Sequence, residues 1–395
     1  MCTEGKPMNY ILFSRGSFQI SIDDQTTVSD SKMINHYKNI TEQLRQSHDW
    51  KSGTEHIFGD SFMLSKGNSY FEPIVNGISS VNGDHFYYGL ELEKGGGIYK
   101  KSKVDADDEG FLFTSNDIVP QHISACGNRI ACSMKYADGT SHIAMFVSER
   151  PDYYEFTAGD SVDEHPFIHN GTVLFTSAGV RRDINGNVSL GNRGISKYDI
   201  EKRSVQQLLY SEDHEYLLPK VDTNGDLYCI RRPVEKRASV GSALIGVLTA
   251  PFWIFAAIVG FLSAFVRIFS GKQLMGKSNR DSAKETAKEI VDGCDIDIER
   301  EEKRNRKAGD KYPGYAPRSW ELIRIPNGAN MTDAQLSEAG LKPERVCRGV
   351  IGYELLGDGS FVISNGSCIV HHYDGGVKLI SKAGAVNRNF TVLNV

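Results

Sequence analysis

The sequence has little proline, 12 residues in 395, and its seven cysteines include no CxxC pair. An odd, unpaired cysteine set excludes a disulfide framework and a cysteine-based zinc site, and points to reduced thiols in a cytosolic compartment. Neither sign of charge dominates: 45 Lys and Arg face 50 Asp and Glu, for a net charge of −5. That balance gives no basic footprint for nucleic acid. The opening "MCTEGKPMNYILFSRGSF" lacks a basic start followed by an apolar core, so export by a cleaved signal is not expected. No GxSxG, HExxH or Walker loop occurs. No catalytic residue, cofactor or metal is assigned from the sequence. Activity as an enzyme stays open, with a binding role favoured.

Glycine, by contrast, is abundant at 39 residues, with 17 Tyr and 19 Phe. Tight turns and aromatic strands suit a β-protein. Turn glycines precede apolar strands at Gly83, Gly127, Gly171, Gly225 and Gly359, and the first four lie 44, 44 and 54 residues apart. A period of 40–50 residues signals an array of similar units. Each unit has the same order. A proline often comes first (Pro73, Pro120, Pro166, Pro219), then an Asn/Asp-Gly or Gly-Asn/Asp turn, then strands of alternating apolar residues. Units of about 45 residues with three to four antiparallel strands read as propeller blades.

The segment "DEHPFIHNGTVLFTSAG…GISKYDIEKRSVQQLL" resembles the TolB-type, WD40-like β-propeller repeat. Asp163, Pro166, Gly171, Phe175, Ile195, Tyr198 and Asp199 carry the likeness. It covers most of 70–235 and, more loosely, 319–385, and it specifies a blade rather than an activity. The WD dipeptide of WD40 blades is missing. The expected fold is all-β: a six-bladed propeller with an inserted apolar helical hairpin and a charged helix. Blades one to four and the start of the fifth take residues 1–233. The end of the fifth, the sixth and a closing strand take 318–395. In the irregular first unit, Met33, Ile34, Tyr37, Ile40 and Leu44 have helical spacing. The last residues, "NRNFTVLNV", are placed to pair within the first blade and close the ring.

Residues 234–317 interrupt the fifth blade. Between Arg237 and Arg267 lie 29 uncharged residues. A run of 18 or more suggests membrane contact, although a buried soluble hairpin would also account for it. Both ends must return to one blade, and two full crossings need about 40 residues. A re-entrant or monotopic hairpin remains. Pro251 divides the run, and Lys236, Arg237, Arg267 and Lys272 flank it. Val240, Gly246, Pro251, Trp253, Ala256, Gly260, Ala264 and Arg267 mark the segment. Ala256, Gly260 and Ala264 have the spacing that allows close helix packing in lipid. Beyond it, "DSAKETAKEIV" reads as a helix with Ala283, Ala287 and Ile290 on one face, and "EREEKRNRK" as a solvated linker.

Other motifs yield blander readings. "DTNGD" and "DINGN" lack the distal Glu of a calcium loop, His371 and His372 alternate across a strand, and His165 and His169 flank a turn without further partners. The Gly-rich "EKGGGIY" precedes a strand, not the helix a phosphate site needs. The expectation is a propeller on the cytoplasmic side of an inner (cytoplasmic) membrane. Its partners would be membrane lipid, an unknown protein and, through the hairpin, further copies of itself, with no nucleic acid. The alternatives are an oligomerising effector that perturbs the bilayer, and a propeller enzyme with its active site at the channel mouth.

Overall fold

Asn/Asp-Gly turns and period-2 apolar patterning produce antiparallel hairpins along most of the chain. The computed structural model describes residues 8–14, 16–52, 71–81, 83–147, 150–182, 188–234, 288–382 and 389–393. Strands β1 (Tyr10–Ser14), β2 (Ser17–Ile22) and β3 (Gln25–Asp30) form one meander, followed by helix α1 (Lys32–Ser52). The second sheet holds β4 (Ile74–Ser80), β5 (His85–Glu91), β6 (Gly96–Ser102) and β7 (Glu109–Ser115). Then come β8 (Val119–Cys126), β9 (Arg129–Lys135), β10 (Ser141–Val147), β11 (Tyr153–Glu155) and β12 (Ser161–His169). They continue into β13 (Thr172–Arg182), β14 (Val188–Leu190), β15 (Gly194–Asp199) and β16 (Ser204–Leu209).

The remaining elements begin with β17 (His214–Val221) and β18 (Leu227–Pro233). A separate hairpin, β19 (Lys288–Val291) and β20 (Cys294–Asp297), leads into helix α2 (Ile298–Lys307). Strand β21 (Glu321–Ile325) then pairs with β18, and β22 (Glu344–Arg348) pairs with β21. Helix α3 (Asp333–Glu338) lies between those two, opened by a reciprocal cap between Thr332 and Gln335. A further sheet comprises β23 (Gly352–Leu355), β24 (Phe361–Ser364), β25 (Ile369–Tyr373) and β26 (Gly376–Ser381). The last strand, β27 (Phe390–Val392), pairs antiparallel with β1, placing Ile11 opposite Thr391.

The sheets form a propeller-like ring. β4 packs on β8, β8 on β12, and β12 on β17. The Tyr353 hydroxyl donates to Leu218 O at 2.6 Å, and Lys220 meets Glu354 at 2.5 Å, joining β17 to β23. β27 touches both β23 and β4 and completes the circuit. The core lies between neighbouring sheets. Phe18, Phe86 and Tyr88 pack where the first meets the second. Leu217, Leu322, Ile351 and Trp320 pack where β17–β22 meet β23–β26. Each such apolar side chain contributes about 1.5–3 kcal/mol.

The structure departs from the sequence reading at three places. Four sheets of four strands are separate, while β8 to β16 run on as one nine-stranded sheet, so the sheets do not divide into six. The helix expected at 281–291 is not one where it is described: 288–291 is strand β19, with Ile290 exposed and Val291 buried. The strand wins because Asp292 and Gly293, at φ 47° and 75°, make the left-handed turn that joins two strands. The expected solvated linker is helix α2, capped by the Asp297 side chain, which accepts from Arg300 N. Its Glu299 and Glu301 sit in the first turn and its Arg304, Arg306 and Lys307 in the last, which suits the helix dipole. It is anchored by buried Asn305, which donates to Gly314 O and Ala316 O. The expected apolar hairpin at 238–266 lies outside the described residues. Among the described residues no helix is long and apolar enough to cross a membrane.

Candidate functional site

Four of the strands that line the ring share a local irregularity. β4, β8, β12 and β17 each break register, between Val75/Gly77, Pro120/Ile123, Glu164/Phe167 and Leu217/Lys220. A bulge re-aims the residue it contains. In β12 and β17 that residue is left-handed, His165 at φ 53° and Leu218 at φ 54°, each followed by proline. Such backbone is costly for a non-glycine residue and persists where its surroundings hold it. Buried His165 has its ring 4.0 Å from that of His122 in the β8 bulge, and its Nδ1 lies 3.3 Å from Thr176 Oγ1.

Charged side chains from three further segments converge there. His165 Nε2 lies 3.7 Å from Asp292 Oδ1 at the tip of the β19–β20 hairpin. Arg193, on the approach to β15, lies 3.5 Å from both Glu164 and Glu215. Arg232, at the end of β18, pairs with Glu215 at 2.6 Å. Its guanidinium donates to Asp292 O at 2.9 Å and Val291 O at 3.5 Å and lies over the Trp320 ring, 5.0 Å from its centre. Burial opposes the charge on Arg193. The carboxylates of Glu164, Asp292 and Glu215 outweigh it and hold the guanidinium above its ordinary range.

Charges of both signs largely offset one another in this cluster. Two arginines face three carboxylates, and the histidine pair lies against the same group. It offers a pre-organised polar centre, and its chemistry suits holding a polypeptide turn better than attacking a bond. Among the described residues no group of three or more His, Cys, Asp or Glu could hold a metal ion. Elsewhere a concavity of about 280 Å³ lies between the α2–Tyr312 stretch and β24–β26, lined by Lys311, Tyr312, Arg348, Asn365 and His372 among others. Lys311 there already donates to Val377 O, and the His372 ring stacks on Phe361.

The residues singled out from sequence fall variously. Asp163 is buried and accepts from Ser161 and Ser177 Oγ. Phe175, Ile195 and Tyr198 are core residues, and Asp199 accepts the backbone N–H groups of Glu201 and Lys202. In "DTNGD", Asp222 accepts from Asn224 N and Asp226 N, while Asp226 accepts from Asn327 N and pairs with Arg324. The carboxylates are thus spent on turn geometry. "DINGN" lies outside the described residues. His169 meets the neighbouring Asn170 side chain, and His371 meets Ser360 Oγ. In the Gly-rich run, a Cβ on Gly95 would lie 2.0 Å from Ser115 O and one on Gly96 2.3 Å from Leu90 O, so close packing explains both glycines. Val240, Gly246, Pro251, Trp253, Ala256, Gly260, Ala264 and Arg267 lie outside the described residues.

Sequence spacing did not reveal the Glu164–Arg193–Glu215–Arg232–Asp292 constellation. The signals present were "DEHP" on an inner strand and the Asp-Gly pair in "EIVDGCDID".

A ring of antiparallel sheets closed by its last strand defines the chain as a β-propeller. The propeller is TolB-like: TolB from Acinetobacter baumannii matches at TM-score 0.50 and 9% identity, over 99% of this chain and 68% of that one. A protein described as TolB from Agrobacterium tumefaciens matches at TM-score 0.43 and 12% identity, over 82% and 92%. An oligogalacturonate lyase from Vibrio parahaemolyticus matches at TM-score 0.36 and 8% identity, over 75% and 62%. No protein-family model and no curated protein matches the chain.

Proposed function

We propose that the chain is a protein-binding propeller scaffold held at a membrane by the segment 238–266, with the propeller on the cytoplasmic side. The observation that carries the reading is the approach of Arg232 to Asp292, 2.9 Å from guanidinium to carbonyl. These residues stand on either side of the 235–287 excursion, so its two ends return to one point on the ring. A run of 29 uncharged residues within an excursion that leaves and rejoins the same part of the propeller suits a hairpin that dips into a bilayer and comes back. Basic residues at both ends favour the cytoplasmic side. The engagement of Arg193 and Arg232 with carboxylates of the propeller itself favours binding over catalysis.

On this reading the propeller has six blades. The nine-stranded sheet then counts as two blades joined at a single parallel bridge, Ser141 to Val162. Each blade supplies one inner strand, from β4, β8, β12, β17, β23 and the closing β27.

The test is membrane fractionation of Ala257→Arg/Gly260→Arg. Two arginines at bilayer depth cost roughly 5–7 kcal/mol, at about 2.5–3.5 each, and shift the protein to the soluble fraction. A variant that pellets with membranes as firmly as wild type removes the tether. Pull-down with the soluble variant then asks whether the propeller retains its protein partner. A pull-down that recovers no partner from either form counts against the scaffold.

A further inference from the structure

We propose that the β19–β20 hairpin is a detachable latch. In the closed state its Asp292–Gly293 tip is seated in the polar pocket of Glu164, His165, Arg193, Glu215 and Arg232. In the open state it leaves that pocket without unfolding the blades. The inference concerns the propeller's own conformations and holds whether or not 238–266 meets a membrane.

Three observations carry it. Among the described residues the hairpin is a sheet of two strands that shares no ladder with any other sheet. Its departure therefore breaks no blade pairing. Its tip is instead attached by propeller side chains, Arg232 to two carbonyls and His165 to the Asp292 carboxylate, and its Glu289 hydrogen-bonds the Tyr315 side chain. Val291 and Ile296 of the hairpin are buried in the apolar core with Cys294 packed against it, and Ile290 is 70% exposed.

The pocket and tip are matched in chemistry. Tight-turn backbone presents two carbonyls and a carboxylate on one side, and Arg232 and His165 answer them. The Trp320 ring backs the guanidinium. When the tip leaves, Arg193 and Arg232 keep their carboxylate partners Glu164 and Glu215. The open pocket is therefore not left with unpaired guanidinium charge, which makes opening affordable without global unfolding. A free two-stranded hairpin is marginal in water, so the undocked state has exchange-labile amides.

Native-state hydrogen exchange on the full chain tests the proposal. The hairpin amides of 288–297 should exchange by local opening, faster than those paired within β17, β18 and β21. Asp292→Asn retains a residue tolerant of the left-handed turn and removes the carboxylate. It should speed exchange of 288–297 by about tenfold and leave the blade amides unchanged. Arg232→Met should do the same if it folds; Asp292→Asn keeps the test decisive if it does not. Hairpin amides that exchange only with the blades, in wild type and variant alike, would overturn the latch. Repeating the measurement on Ala257→Arg/Gly260→Arg separates the two proposals: the latch still opens locally there even if the tether proves absent.

Discussion

At the residue scale, the sharpest contrast is between arginines that look alike in sequence. Arg232 is 2% exposed and links Glu215, the hairpin tip and Trp320. Arg318 pairs with Asp310, but both side chains are more than one-third exposed. Removing one partner of a buried pair costs about 3–5 kcal/mol, because the other charge is left without compensation. A surface pair contributes about 0–1 kcal/mol. Urea unfolding should therefore show Arg232→Met strongly destabilised and Arg318→Met nearly neutral; equal shifts would refute the assignment of Arg232 as a buried anchor. A second contrast concerns turn backbone. Gly171 sits at φ 76° beside open space, so Gly171→Ala meets no clash and pays only in conformation, about 1 kcal/mol. That turn was legible in the sequence, because "NG" between apolar runs sets both left-handed positions. The role of Arg232 was not, because its partners come from distant segments.

At the element scale, β18, β21 and β22 are bound by a fan of charges centred on Glu321. Its carboxylate meets Arg231 at 2.7 Å and Arg345 and Arg348 at 3.3 Å. Burial alone would raise its pKa, but the hydrogen bonds and charges of Arg231 and Arg345 outweigh it and hold the carboxyl below its ordinary value of 4.5. A depressed folded pKa stabilises above the unfolded value, and that stability is lost as pH falls through the folded one. The stability difference between wild type and Glu321→Gln should thus be full at neutral pH and shrink below about pH 4.5. A constant gap across the acid range, read by urea midpoints at successive pH values, would show that the fan carries no such linkage. Strands were the legible elements, since alternation and turn residues agree along β12 to β16. The hairpin β19–β20 was not, because "AKETAKEIV" has helical spacing of small and apolar residues. Its strand form is decided by tertiary burial of Val291 and Ile296 and by the Asp-Gly turn that follows.

At the scale of the whole molecule, the ring is held by contacts of very different sequence separation, and the excursion between β18 and β21 is divided in kind. Its later part is built into the fold: Val291, Ile296, Tyr315 and Ala316 are buried in the same cluster as Trp320 and Leu322. Asn305 ties α2 to the loop that follows it, and the Glu302 carboxylate accepts from Ser367 in the next sheet. The sequence reading starts the interruption at residue 234, where the β18 grammar stops. It did not show that residues 288–317 return to the core, because their charge density resembles that of a solvated linker and their few buried side chains are widely spaced. Two replacements should therefore behave differently. Replacing 235–287 by a short Gly/Ser linker should leave the ring folded with a cooperative unfolding transition close to wild type. Replacing 234–317 removes four buried core side chains at about 1.5–3 kcal/mol for each large one, with the cap and anchor of α2 as well. That chain should unfold at markedly lower urea, or lose cooperativity. Equal stability of the two deletions would mean that the hairpin and α2 rest on the propeller without supporting it. The latch would then lose the docked state from which it opens.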